Sequence, residues 1–220
     1  MNHSACNRSA PFPWITTTLC ALALAAWFKP GASDLLQFDR NRVVLGAWWQ
    51  VLSGHLTHWT ASHLVWDLAA FALLGTLLER RSRTMLAATL ITSACAISGA
   101  VWALAPEIAS YRGLSGIDSA VFASLVTAQF VEALRARRFA IALWLACAAT
   151  GLALKVAFES IAGSSIFVAP DASFVPVPLA HAVGAAAGLV VTLAYSSMEN
   201  AAQVVAAWAW GSPTGRLRSR

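Results

Sequence analysis

Two residues far apart in the chain carry side chains that could do chemistry together. Ser115 stands in Tyr111-Arg112-Gly113-Leu114-Ser115-Gly116, where an apolar run begins. Glycines beside a serine let a second helix or a substrate backbone come close. At a helix start, the unpaired N–H groups of the first turn can stabilise developing negative charge. His181 opens His181-Ala-Val-Gly184-Ala-Ala-Ala-Gly188, whose two glycines form a small-residue face for close helix packing. His181 falls near that face. The run after Ser115 offers a matching surface in Gly116 and Ala120. If the faces meet, imidazole and hydroxyl come within hydrogen-bond reach and the histidine can serve as base for the serine. Taken singly, each piece has a plainer reading. Gly-x-Ser-Gly is more often a packing surface, and a lone interhelical histidine more often bonds a carbonyl.

A third group is Gly54-His55-Leu56-Thr57-His58-Trp59-Thr60-Ala61-Ser62-His63-Leu64-Val65-Trp66-Asp67. His63 and Asp67 are four residues apart and share a helical face. Three histidines and an aspartate suggest a metal site, but the glutamate base of an HExxH zinc motif is missing. No metal or organic cofactor is implied. Lys155 and Glu159 are also four apart, and read by themselves as an ion pair near a membrane surface.

The elements that must hold these groups are apolar. Of 220 residues, 58% are hydrophobic and 11% charged, far below the roughly 25% charged residues of a soluble domain. Apolar runs near the ~20-residue length of a bilayer span recur along the chain. The expected architecture is all-α, a polytopic bundle of six transmembrane helices. The runs lie at about Trp14–Phe28 and residues 61–79, 84–105, 114–131, 139–158 and 178–197. On this reading residues 1–13 are a cytoplasmic segment, 14–197 the membrane domain and 198–220 a basic cytoplasmic tail.

The net charge of +5 is spread as topology signals rather than as a nucleic-acid-binding patch. With the N-terminus inside, ten arginines (8, 80, 81, 83, 135, 137, 138, 216, 218 and 220) fall on the inner side. Four cations, Lys29, Arg40, Arg42 and Arg112, fall outside, so both termini are expected in the cytoplasm. Residues 29–60 carry Trp48, Trp49 and Trp59 and read as an interfacial segment half embedded in the membrane. Residues 159–177, with Pro170 and Pro176, read as a mobile loop on the same side. Cys6, Cys20, Cys95 and Cys147 lack metal spacing and read as inert, mostly buried thiols.

Taken together and in order, these pieces resemble the rhomboid family of intramembrane serine proteases, over about residues 45–197. The resemblance rests on the tryptophan-bearing outer loop, His58-x4-His63-x3-Asp67, Leu74-Gly75 with Glu79-Arg80, Gly113-x-Ser115-Gly116 and His181-x2-Gly184-x3-Gly188. Finer features look like the rhombosortase branch, which is paired with GlyGly-CTERM sorting signals. They are Gly54-His55-Leu56-Thr57-His58, Arg112-Gly113-Leu114-Ser115-Gly116, and Lys155 with Glu159. The resemblance implies Ser115 as nucleophile and His181 as general base. It implies His63 and the Asp67 position lining an oxyanion pocket with the Ser115 N–H, and His58 in the loop that shapes the cavity. Gly113 and Gly116 flank that pocket, and Gly184 and Gly188 bring the last span against the fourth. Substrates would be transmembrane segments of precursors ending in Gly-Gly, an apolar helix and a basic tail. The setting would be a bacterial inner membrane, with the site open to the periplasm.

Three positions depart from the family's usual pattern. Asparagine is common where this chain has Asp67, and a carboxylate would repel an oxyanion. Asp67 is therefore expected to be neutralised or turned toward His55, His58 or Arg112. Trp49-Gln50 replaces a Trp-Arg pair, and Ser119 stands where an aromatic residue often stacks on the histidine. Asp118, three after Ser115, is a candidate orienter of His181, or else a partner of Arg112. Two rival functions share these residues. An inactive rhomboid-like protein would bind transmembrane helices, and a transporter or proton pathway would use His63, Asp67, Asp118 and His181.

Overall fold

The computed structural model describes residues 12–163 and 177–210, with side chains up to residue 202. Most of residues 159–177, Cys6, Arg8, the side chain of Trp208 and the last three arginines fall outside the described residues. In chain order the elements are α1 (Trp14–Phe28), α2 (Ala32–Leu36), β1 (Phe38–Asp39), α3 (Arg40–Val44) and α4 (Gln50–Ser53). A 3₁₀ turn at Gly54–Leu56 follows, then α5 (Ala61–Arg81), α6 (Arg83–Leu104), β2 (Ser110–Tyr111), α7 (Ser115–Arg135), α8 (Phe139–Ala162) and α9 (Pro178–Trp210).

Helices α5 to α9 are long and apolar enough to cross a membrane, whereas α1, at 15 residues, is shorter than that. Five of the six apolar runs are thus helices of spanning length. The protein is an integral membrane protein, all-helical among the described residues apart from a tiny antiparallel ribbon in which Phe38 faces Tyr111 and Asp39 faces Ser110.

Local chemistry marks the helix ends. The Thr60 hydroxyl accepts the His63 N–H at the start of α5, and the Ser82 hydroxyl accepts the Met85 N–H at the start of α6. Ser82 itself is extended, so it closes α5 and opens α6 in one residue. Gly163, at φ +64°, ends α8 in the left-handed conformation that glycine adopts without strain. The expected end of this run at residue 158 falls short, because Glu159-Ser160-Ile161-Ala162 contains no helix breaker. Helix α9 runs past Ser197 to Trp210 for the same reason, since the next glycine is Gly211.

Phe71, Leu78, Leu86, Ile97, Val101, Leu114 and Val121 form the core between α5, α6 and α7. Helix α7 is the most enclosed span and α8 the least, with only Ala142 and Glu159 buried. The apolar residues left uncovered on α8, Leu143, Trp144 and Leu154 among them, face what would be lipid. Cys95 and Cys147 are free thiols on such outer faces and Cys20 is half-buried, so these thiols are less buried than expected. In the segment before α5, Leu45, Trp48 and Trp49 are likewise uncovered, which suits residues that dip into an interface.

Helix α9 lies directly on α7. A Cβ on Gly184 would fall 2.0 Å from the Gly116 carbonyl oxygen, and one on Gly188 would fall 2.0 Å from that of Ala120. Only glycine permits this approach, and it fixes the height of α9 against the first turns of α7.

Candidate active site

The small-residue contact between α7 and α9 places the first turn of one beside the first turn of the other. Ser115 is the first residue of α7, and His181 is the fourth of α9. Their side chains meet, with the Ser115 hydroxyl oxygen 2.9 Å from His181 Nε2. The opposite ring nitrogen, Nδ1, lies 2.9 Å from Glu159 Oε2, at the last turn of α8. Lys155 Nζ donates to that same carboxylate oxygen at 2.8 Å and stands 3.4 Å from Nδ1. Glu159 is wholly buried and His181 is 6% exposed, so the cluster is enclosed in the protein rather than lying on its surface.

The i,i+4 ion pair that the spacing of Lys155 and Glu159 suggests does form, but its carboxylate is buried and is shared with His181. Asp118, the acid expected near His181, is not placed on the imidazole. It is buried on α7, and its Oδ1 has no hydrogen-bond partner among the described residues. Arg112, its other candidate partner, instead pairs with Asp34 at 2.5 Å, donates to Gln37 Oε1 at 2.9 Å and lies over the Trp59 ring. Ser119 donates to the Ser115 carbonyl at 3.0 Å.

Beside Ser115 lies a second cluster, built around Asp67. Helix α7 has no side chain of its own capping its first amides. Asp67, from α5, supplies one: its Oδ2 accepts the Leu114 N–H at 2.9 Å and the Ser115 N–H at 3.1 Å. His63 Nε2 is 3.1 Å from the same oxygen, and His58 Nε2 is 3.3 Å away but poorly aligned for donation. Asp67 thus turns toward His58 and His63, not toward His55 or Arg112, and its oxygen occupies the amides that could hold an oxyanion.

Gly113 makes this closeness feasible. Its φ of +128° suits glycine alone, and a Cβ there would lie 2.7 Å from the His63 ring. His55 sits apart, with Nε2 3.2 Å from both the Ala94 carbonyl and the Ser98 hydroxyl. Burial pushes its pKa down to about 4, so it is a neutral structural contact. Burial lowers His58 as well, against the pull of Asp67. Trp49-Gln50 keeps a structural use too, since the buried Gln50 accepts the Asp39 N–H and donates to the Leu35 carbonyl. Among the described residues, no group of three or more acidic, histidine or cysteine side chains is arranged to hold a metal ion.

The geometry has a hydroxyl on one imidazole nitrogen, a carboxylate on the other, and helix-start amides beside the hydroxyl. That is the equipment of nucleophilic catalysis at an acyl group. The sequence profile of the Rhomboid domain matches residues 45–198, which is well over half the chain. The chain belongs to the rhomboid family. Rhomboids are typically intramembrane serine proteases. Compared with curated proteins, the chain has no match.

In this rhomboid, both clusters lie inside the matched region. The hydroxyl, the imidazole and the two packing glycines could be located from residue type and spacing. Glu159 is legible as half of an i,i+4 pair within its own helix, and with Lys155 as part of the resemblance to rhombosortases, but not as a partner of His181. Its contact with His181 crosses from α8 to α9, and nothing in its local sequence signals that. The one available hint was chemical: a carboxylate that the fold must bury needs more than one donor.

Proposed function

We propose that this chain is an intramembrane serine endopeptidase that cleaves transmembrane segments of membrane-anchored precursors. Ser115 is its nucleophile and His181 its general base. The observation that carries the reading is the 2.9 Å contact between the Ser115 hydroxyl and His181 Nε2.

His181 Nε2 takes the hydroxyl proton as the serine oxygen attacks the scissile carbonyl carbon. The tetrahedral oxyanion is held by the Ser115 and Leu114 N–H groups, with His63 alongside, once the Asp67 carboxylate yields its place. Collapse breaks the C–N bond, and the imidazolium hands its proton to the leaving amine. An acyl-enzyme on Ser115 remains. Water then attacks it, again through His181, and releases the carboxylic acid. Deacylation consumes water, which this reading places in a cavity open to the outer face beside the half-buried Ser115.

The narrower substrate class is a precursor with a C-terminal Gly-Gly, an apolar helix and a basic tail, cleaved on the periplasmic side of a bacterial inner membrane. It is supported by the resemblance of Gly54-His55-Leu56-Thr57-His58 and of Arg112-Gly113-Leu114-Ser115-Gly116 to rhombosortases. The membrane bundle is read as crossing six times, with α1 as the first crossing and both termini in the cytoplasm. Asp67, His58, Gly113 and Gly116 shape the oxyanion pocket, and Gly184 and Gly188 set the distance between base and nucleophile.

A serine-directed fluorophosphonate probe tests the reading on the full chain. Wild type should label covalently, and Ser115→Ala and His181→Ala should lose at least ~100-fold in labelling rate, the scale of a general-base contribution. Equal labelling of all three proteins would overturn it.

A further inference from the structure

Resting on the serine-protease reading, we propose that Glu159 is the positioning residue that makes His181 a base toward Ser115, and that Lys155 limits how basic it becomes. The argument starts from the two ring nitrogens. Glu159 Oε2 is 2.9 Å from Nδ1 and can only accept, so Nδ1 carries the proton. That fixes the tautomer in which Nε2 is unprotonated, and Nε2 faces the Ser115 hydroxyl at 2.9 Å. Without the carboxylate, a neutral imidazole can hold its proton on Nε2 and accept from Lys155 at Nδ1. A histidine in that form takes no proton from serine.

Once His181 accepts the serine proton, the imidazolium and the Glu159 carboxylate attract each other in an enclosed site, where such interactions are strong. Lys155 acts in the opposite sense. It donates to Glu159 Oε2 at 2.8 Å, which steadies the carboxylate and draws charge from it. Its ammonium also stands 3.4 Å from Nδ1, where positive charge disfavours an imidazolium. Among the described residues, the other charged or titratable groups facing His181 are few. Helix α7 presents Ser115 and the buried Asp118, while α6 carries no charged residue after Arg83 at its far end. Asp118 makes no described contact with the ring and is common to every variant in the test.

The experiment measures the second-order rate of fluorophosphonate labelling against pH, using the full chain in proteoliposomes. Wild type, Glu159→Gln, Glu159→Asp, Lys155→Met, Ser115→Ala and His181→Ala are compared, with thermal midpoints recorded for each. Glu159→Gln is expected to lower the plateau rate by at least tenfold and move the rising limb to lower pH by about one unit. Lys155→Met is expected to move that limb the other way, and Glu159→Asp to recover part of the lost rate. Opposite shifts are a signature that a purely structural ion pair would not give. Wild-type rate and limb in Glu159→Gln would overturn the proposal, as would both variants moving the limb in one direction. If Glu159→Gln does not fold, Lys155→Met decides alone, and a limb that stays in place or moves to lower pH overturns it. Labelling that needs Ser115 and His181 but ignores Glu159 sinks this inference only, whereas labelling that survives Ser115→Ala sinks the protease reading beneath it.

Discussion

At the scale of single residues, Asp67 is where the chemistry and the resting geometry pull against each other. Its Oδ2 accepts two backbone N–H groups and lies within 3.3 Å of two imidazole nitrogens. Those donors would suit an oxyanion, so in the resting protein the carboxylate plays the part of one. A substrate carbonyl that becomes negative must share the Ser115 amide with it or replace it. Two like charges there would raise the barrier, while an amide side chain could stay and donate. Asp67→Asn is therefore expected to label with fluorophosphonate roughly tenfold faster than wild type, equivalent to about 1.4 kcal/mol of barrier. A slower Asp67→Asn enzyme would mean that the carboxylate itself is required. Its work would then be to hold His58 and His63 in line, and the donor argument would be wrong.

Elements explain both what can be read from the sequence and what cannot. Five apolar runs announce their helices because burial in lipid demands about 20 apolar residues, and that demand is written in composition. Their ends are less legible. Charges were natural stopping points for α7 and α8, yet α7 continues to Arg135, where Arg81 clasps Glu132 from α5, and α8 continues past the buried Glu159. A charge does not end a helix where a side chain of a neighbouring helix compensates it, whether on the surface, as for Glu132, or buried, as for Glu159. The small-residue faces are legible because helical periodicity places Gly184 and Gly188 on one side. The contact of α8 with His181 is not, because it is settled by how three helices assemble. The α7–α9 contact also yields a prediction. Gly188→Leu would drive a side chain into the Ala120 backbone two turns below His181. It is expected to cost about 3 kcal/mol or more and to abolish labelling. Gly99→Leu, on an open face of α6 with nothing within 4 Å, is expected to change neither. Matching thermal midpoints for the two variants in detergent would show that the close approach contributes little.

For the whole molecule, the question is which side of the membrane each end occupies, and the short helix α1 decides it. At 15 residues it is about 22 Å long, against about 31 Å for the 21-residue α5. Its two ends are nevertheless tied to opposite ends of the bundle. The buried Glu79 carboxylate, near the end of α5, accepts the Ile15 and Thr16 N–H groups and the Thr16 hydroxyl, and Arg83 donates to the Phe12 carbonyl. At the other end, α1 packs against the Gly54–Leu56 turn, near the segment that holds β1 against β2. Helix α9 starts beside Ser115, and Tyr195 reaches Ser82 at the Glu79 end. The described chain therefore begins and ends at the end of the bundle opposite Ser115, the end that also carries Arg80, Arg81, Arg83, Arg135, Arg137 and Arg138. The positive-charge bias is the ground on which we propose that this end is cytoplasmic. In a cysteine-free background, Asn41→Cys, an exposed polar position in the segment before α5, should react with a membrane-impermeant maleimide on the outer side of sealed, right-side-out membrane vesicles. Cysteine tags placed before residue 12 and after residue 210 should react only after permeabilisation. An N-terminal tag that reacts without permeabilisation would mean that α1 does not cross, and that Glu79 anchors a helix lying within one leaflet.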